Sequence, residues 1–151
     1  MTNKYRIPCK CTICGHFNYE IVKLSQEGLE LKHIKWKYDT CKCPKMCELG
    51  GYKSIESAEI HVDLTDKNGE EIYERDLIKY YGNSIPQHSN KDTIYEVEYS
   101  LNEFIATPIE YKYDKGYGDY CGGGHLKDWL ISSDREVIGN VLENPEITKF
   151  Y

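Results

Sequence analysis

The sequence predicts a mostly β protein: a cysteine-bearing hairpin segment followed by a small β barrel or sandwich. Three observations carry this. Tyrosine is overrepresented, with 14 Tyr against 3 Phe and 2 Trp, and tyrosine suits half-buried strand positions where the ring packs and the hydroxyl stays wet. Short apolar-polar alternations recur with turn signals between them. Six of the 7 cysteines fall in two tight clusters that flank one such pair of alternations.

The chain has 151 residues, enough for one domain or one domain with a small appended module. Apolar residues are 40% and charged residues 29%, as suits a modest core. The formal charge of −6 removes the simplest argument for nucleic acid, although it does not exclude it. There is no long apolar run for a membrane span, and the opening residues MTNKYRIPCKC lack the apolar core of a secretory leader. The expected compartment is the cytoplasm, where clustered cysteines point to metal rather than to disulfides.

Residues 1–57 are expected to form the first unit. Cys9-Lys10-Cys11-Thr12-Ile13-Cys14-Gly15 and Cys41-Lys42-Cys43-Pro44-Lys45-Met46-Cys47 are near-copies in layout. Between them Asn18 to Leu24 and Leu29 to Lys37 alternate, with Gln26-Glu27-Gly28 as the turn. A cysteine pair, a hairpin and a second cysteine pair is the layout of a zinc ribbon. Cys-x-x-Cys-Gly makes a knuckle whose thiolates converge, and a second knuckle completes a tetrahedron around a structural zinc. Cys11 and Cys14 fit the first knuckle, and Cys43 and Cys47 the second. Cys9 and Cys41 are then spare or share a site, and six thiolates could also hold two metals. His16 and His33 are substitute ligands on paper, but histidines so placed are more often surface or half-buried residues.

Residues 58–151 are expected to form the β domain. Ala58 to Val62 leads into Asp63-Leu64-Thr65-Asp66-Lys67-Asn68-Gly69, whose Asn-Gly pair predicts a primed two-residue hairpin turn. Glu70 to Tyr73 continue beyond it, Glu74-Arg75-Asp76 is a polar break, and Leu77 to Tyr81 is a strand. Thr93 to Tyr99 and Phe104 to Tyr113 are further strands, joined by a turn at Ser100 to Glu103. Asp114 to Gly124 is a glycine-rich aromatic loop; Leu126 to Ile131 reads as a strand or a helical turn; Glu136 to Leu142 is a strand, and Asn144-Pro145-Glu146 opens a last turn.

No catalytic signature is present, and the chain is expected not to be an enzyme. A calcium-loop reading of the Asp66 turn fails, because the required first Asp would fall at Leu64. The glycines at 116, 118 and 122–124 lack a following Lys-Ser/Thr pair. Cys121 and His125 have no orienting partner. Tyr111, Tyr113, Tyr117 and Tyr120, with Lys112 and Lys115, form an aromatic basic patch suited to binding; Glu110, Asp114 and Asp119 between them would repel phosphates and favour a protein partner.

The stretch DLTDKNGEEIYERDLIKY resembles the hallmark segment of the YopX family of phage and prophage proteins. Arg135-Glu136-Val137-Ile138-Gly139-Asn140 and Glu143-Asn144-Pro145-Glu146 resemble its closing motif, and Tyr95 to Tyr99 with Glu103 to Ala106 its central hairpin. The resemblance covers about residues 60–148. Asp63 and Arg75 stand where the family usually has glycine. The resemblance implies a small barrel of the Src-homology-3 type and a phage or prophage origin, with no assigned molecular role. The expected function is a non-catalytic accessory binding module for a protein partner, in the cytoplasm of the bacterial host, with homo-oligomers plausible through aromatic edge strands. The alternative is a zinc-dependent nucleic-acid-binding module that presents Lys10, Lys42 and Lys45 to phosphates.

Overall fold

The computed structural model describes residues 3–28, 30–42, 51–81, 93–100, 102–109, 124–125 and 135–148. The chain divides into two compact units, Met1–His61 and Val62–Tyr151. The described strands form two antiparallel sheets, so the protein is mostly β. No helix among the described residues is long and apolar enough to cross a membrane.

The first unit is built on β1 (Lys4–Cys11), β2 (Phe17–Leu24), β3 (Leu31–Trp36) and β4 (Tyr52–Ser54). β2 and β3 are the two alternating runs of the expected hairpin; β1 holds Cys9 and Cys11 of the first cysteine cluster, where no strand was expected. β2 lies between β1 and β3, while β1 pairs along its other side with β4 and with the first residues of β5 (Glu59–Thr65). The centre of this sheet holds a buried ion pair. Arg6 and Glu59 are register partners, the Arg6 Nε donates to Glu59 Oε2 at 2.8 Å, and the guanidinium carbon lies 4.1 Å from the centre of the Tyr19 ring. A buried charge is tolerated only when so paired, and the aromatic face adds a further cation contact.

The second unit continues β5 into a hairpin with β6 (Glu71–Tyr73), followed by β7 (Asp76–Tyr80), β8 (Ile94–Ser100), β9 (Glu103–Pro108), β10 (Gly124–His125) and β11 (Arg135–Asn140). A single helical turn, α1 (Pro145–Thr148), follows. The second sheet runs β10-β9-β8-β7-β11. Its core is Ile78, Tyr80, Tyr95, Val97 and Ala106, packed with Val62 of β5 and Ile72 of β6. The expected closed barrel is not what the described strands form. β10 and β11 are opposite edges of an open sheet, and the apolar core is covered by side chains of the β5–β6 hairpin instead of by edge-to-edge closure.

The hairpin turn also differs from expectation. Of the Asn68-Gly69 pair, Gly69 has a positive φ, at 80°, and Asn68 does not. The Gly69 amide donates to the Asp66 carbonyl at 3.0 Å and the Asp66 amide to the Glu70 carbonyl at 2.8 Å, which makes a three-residue loop ending in a left-handed glycine. The cause is the Asp66 side chain. Its Oδ1 accepts the amides of Asn68 at 2.8 Å and Glu70 at 2.9 Å, which holds Asn68 out of the left-handed region. Its Oδ2 accepts the Val137 amide of β11 at 3.0 Å. The Lys67 amide donates to the Arg135 carbonyl at 2.8 Å, and Arg135 Nη2 donates to the Thr65 carbonyl at 2.7 Å. The opening turn is therefore stitched to the closing strand.

Asp76 repeats this device. It is buried, accepts the Tyr73 amide at 2.8 Å on Oδ2, and takes the Asn140 side-chain amide at 3.3 Å on Oδ1. Asn140 in turn accepts the Leu142 amide at 2.9 Å, and its own amide donates to Asn144 Oδ1 at 3.1 Å. That close approach of Asn144 explains Gly139, where an added Cβ would sit 2.4 Å from Asn144 Oδ1.

Both departures from the family pattern, Asp63 and Arg75, adopt the left-handed backbone that glycine accommodates, at φ 65° and 69°. Arg75 is pinned there because its amide donates to the Val97 carbonyl at 2.7 Å and its carbonyl accepts the Val141 amide at 3.1 Å. Non-glycine residues bear a cost of roughly 1–2 kcal/mol in this region.

Two stability predictions follow from these turns. Asp66→Ala removes a carboxylate shared by three backbone amides and is expected to cost about 3 kcal/mol in urea denaturation, whereas Asn68→Ala costs under ~1 kcal/mol. Arg75→Val is expected to destabilise by roughly 1–2 kcal/mol, because a β-branched side chain fits the left-handed region worst. Arg75→Gly should change stability by less than about 1 kcal/mol, since strain relief and the greater freedom of the unfolded chain oppose one another. Equal losses for both Arg75 variants would mean that side-chain contacts, not backbone strain, govern the position.

Candidate metal centre

The link between β1 and β2 is a cysteine knuckle. The Cys11 amide donates to the His16 carbonyl at 2.9 Å, and the Gly15 amide returns to the Cys11 carbonyl at 2.9 Å. Gly15 closes the loop at φ 74°, a left-handed backbone that glycine adopts without a Cβ penalty. The Thr12 amide donates to the Gly51 carbonyl at 2.7 Å, which ties the knuckle to the start of β4. These bonds turn Cys11, buried at the end of β1, and Cys14, exposed on the loop, towards each other.

Cys41 joins them. The Sγ atoms of Cys11, Cys14 and Cys41 all lie within 4.8 Å of one another. A tetrahedral zinc with sulfur at ~2.3 Å sets sulfur–sulfur separations of about 3.8 Å, so this group needs only a slight contraction to bind one. Cys41 is positioned by Tyr52 of β4, whose hydroxyl accepts the Cys41 amide at 2.8 Å. The same hydroxyl lies 2.8 Å from His16 Nδ1. Trp36 stacks at 4.8 Å from the Tyr52 ring, so β3, β4 and the knuckle share one anchor. Burial above all pushes the Tyr52 phenol up from its ordinary value.

Cys9 is placed differently. It stands two residues before Cys11 on β1, a separation of about 7 Å along a strand, and it is not in the three-sulfur group. Its thiol donates to the Ile7 carbonyl at 3.5 Å. Burial, and then the nearby Glu20 carboxylate, push the Cys9 thiol up, which opposes the thiolate that a metal requires. His33 lies 3.2 Å from Glu20 Oε1, and it too is outside the three-sulfur group.

Of the residues expected to act, Cys11 and Cys14 are together, and Cys41, left spare by spacing, stands with them. Cys43, Cys47, Lys45, Tyr111, Tyr113, Tyr117, Tyr120 and Cys121 lie outside the described residues. The Tyr52 anchor was missed because it falls beyond a glycine pair that reads as a connector. Its register opposite Cys11 is a property of the sheet and not of local sequence.

Comparison with known proteins gives a family and little else. No curated protein matches the chain. The crystal structure of protein EF1440 from Enterococcus faecalis is similar at a TM-score of 0.45 and 16% identity, over 99% of this chain and 100% of that one. The family model described as YopX protein matches residues 17–149, which reaches well upstream of the motifs at 63–81 and includes the second cysteine cluster. With its hallmark turn and closing strand joined through Asp66, and with the match spanning most of its length, the chain belongs to the YopX family.

Proposed function

We propose that this chain is a non-catalytic binding module whose first unit is stapled by a structural zinc, and that it acts on a protein partner. The observation that carries the reading is the convergence of Cys11, Cys14 and Cys41 on one point. Three thiolates form a soft donor set that suits zinc. A fourth ligand is within easy reach in sequence at Cys43 or Cys47, which would complete a site made wholly of protein ligands with no position open for water or substrate. Such a site supplies folding energy, not chemistry. The first sheet has reason to need it: the chain from β3 to β4, which carries Cys41, is longer than either strand it joins, and small units use metal to offset a small core.

The phage or prophage origin, the host cytoplasm as the place of action, and the Src-homology-3 likeness of the second unit belong to this proposal through the family resemblance. A small β unit without a catalytic signature acts by presenting surfaces, and binding is the economical reading of such a chain.

Metal analysis by mass spectrometry tests the staple. Protein purified without chelator is expected to hold one zinc per chain, counted as a ratio near ~1. Cys14→Ser and Cys41→Ser should each lose the metal and melt at lower temperature, while Cys9→Ser retains it. Metal-free parent protein with unchanged thermal stability would contradict the proposal.

A further inference from the structure

The first sheet sorts its charges by face. Register places Lys4 opposite Lys23 and Lys23 opposite Lys32, so three lysines form a row across β1, β2 and β3. Lys10 and Lys53 are likewise partners, and Lys35 is paired to Ile21, which is itself the partner of Arg6. Paired residues share a face, and residues two apart on a strand share a face. Lys32 and Lys35, three apart, do so because the β2–β3 register shifts between them. Every lysine of β1 to β4 therefore lies on one face. Lys10, Lys23, Lys32, Lys35 and Lys53 are exposed.

Among the described residues of β1 to β4, no acidic side chain lies on that face. Glu20, the one acidic residue of those four strands, lies on the opposite face beside His33. Glu59, on the lysine face, is buried against Arg6. In a chain of net charge −6, the exposed margins of this face are cationic by arrangement and not by composition, while its centre at Arg6, Pro8, Tyr19 and Ile21 is buried. Like charges directly opposite one another destabilise a sheet. The row Lys4–Lys23–Lys32 breaks that local rule, and such violations are expected where a surface serves a partner.

β3 is where the face opens to a partner. Among the described residues it pairs only with β2, so it is an edge strand. Residues 31–35 are all exposed, including the apolar Leu31 at 43% and Ile34 at 44%. Lysines on an edge protect against self-pairing, because a second copy of β3 would bring lysine against lysine. Edge protection needs lysine on β3 alone; it gives no reason for Lys23 and Lys4 on the inner strands. A charge field extending inward from an open edge suits an extended acidic segment, whose backbone adds to the edge while its carboxylates meet Lys32 and Lys35.

Resting on the protein-partner reading above, we infer that β3 with the Lys4–Lys23–Lys32 row is a docking edge for an acidic, extended segment of a partner protein, bound as an added strand. The test uses the full zinc-loaded chain and a fluorescent peptide of alternating Glu and Val long enough to span β3. Binding by anisotropy is expected, weakened by salt, and reduced about tenfold or more in Lys32→Glu/Lys35→Glu. The same peptide with its backbone amides methylated along one edge should not bind. Three results would overturn the inference. They are no binding of the acidic peptide, equal binding of the methylated peptide, or a single-stranded oligonucleotide that binds the chain in its place and is lost in the same variant. Zinc content and circular dichroism of parent and variant are read alongside. Failure to bind by a metal-loaded, folded parent counts against the docking edge alone, whereas a metal-free parent counts against the zinc-stapled reading.

Discussion

The second unit depends on one carboxylate. Asp66 accepts the amides of Asn68, Glu70 and Val137, and so fixes the conformation of the opening turn and its attachment to the closing strand at once. Residues about 70 positions apart in sequence are brought into register by it. Loop closure over such a span has an entropic cost that grows only slowly with length, so a small number of strong, buried contacts can hold it. Asp76 acts in parallel, with Tyr73 on one oxygen and Asn140 on the other. An open sheet has two edges to manage, and here the β11 edge is fastened by side chains rather than by barrel closure. Asp66 and Asp76, two polar residues of the family hallmark, thus hold the architecture together.

The strand content was legible because alternation is a local property. Residues 18–24 and 93–99 alternate apolar and polar side chains and 77–81 is an apolar-rich run, and the structure places strands over most of each, although burial along them does not alternate strictly. The left-handed backbone at Asp63 and Arg75 fits the family resemblance, in which glycine usually stands at both positions. Three things were not legible. The form of the Asn68-Gly69 turn depended on a side chain two residues upstream competing for its amides. Sheet closure depended on which edges meet, and strand counting says nothing of that. The role of Cys41 depended on Tyr52, a residue whose position opposite Cys11 comes from pairing between β1 and β4. In each case a partner distant in sequence decided between local alternatives that were otherwise close in energy.

The first unit divides its lysines and its cysteines between the two faces of one small sheet. One face carries Cys9, Cys11 and Tyr52, the other the lysines. On the lysine face the buried Arg6 and Glu59 neutralise each other. Cys9 is separated from the three-sulfur group by its place on the strand and by a thiol that burial holds protonated. A cysteine triplet can therefore contain both a pair of converging thiols and a packing residue, and strand geometry tells them apart where spacing cannot.

Native-state hydrogen exchange on the amides of Asn68, Glu70 and Val137 measures the Asp66 constraint most directly. If one carboxylate holds turn and strand together, the three amides open in a single event: they share one opening free energy and one denaturant dependence. Fast, independent exchange at Asn68 and Glu70 beside a protected Val137 would contradict the account, because the turn would then be ordered by its own sequence and the closing strand by its sheet partners alone.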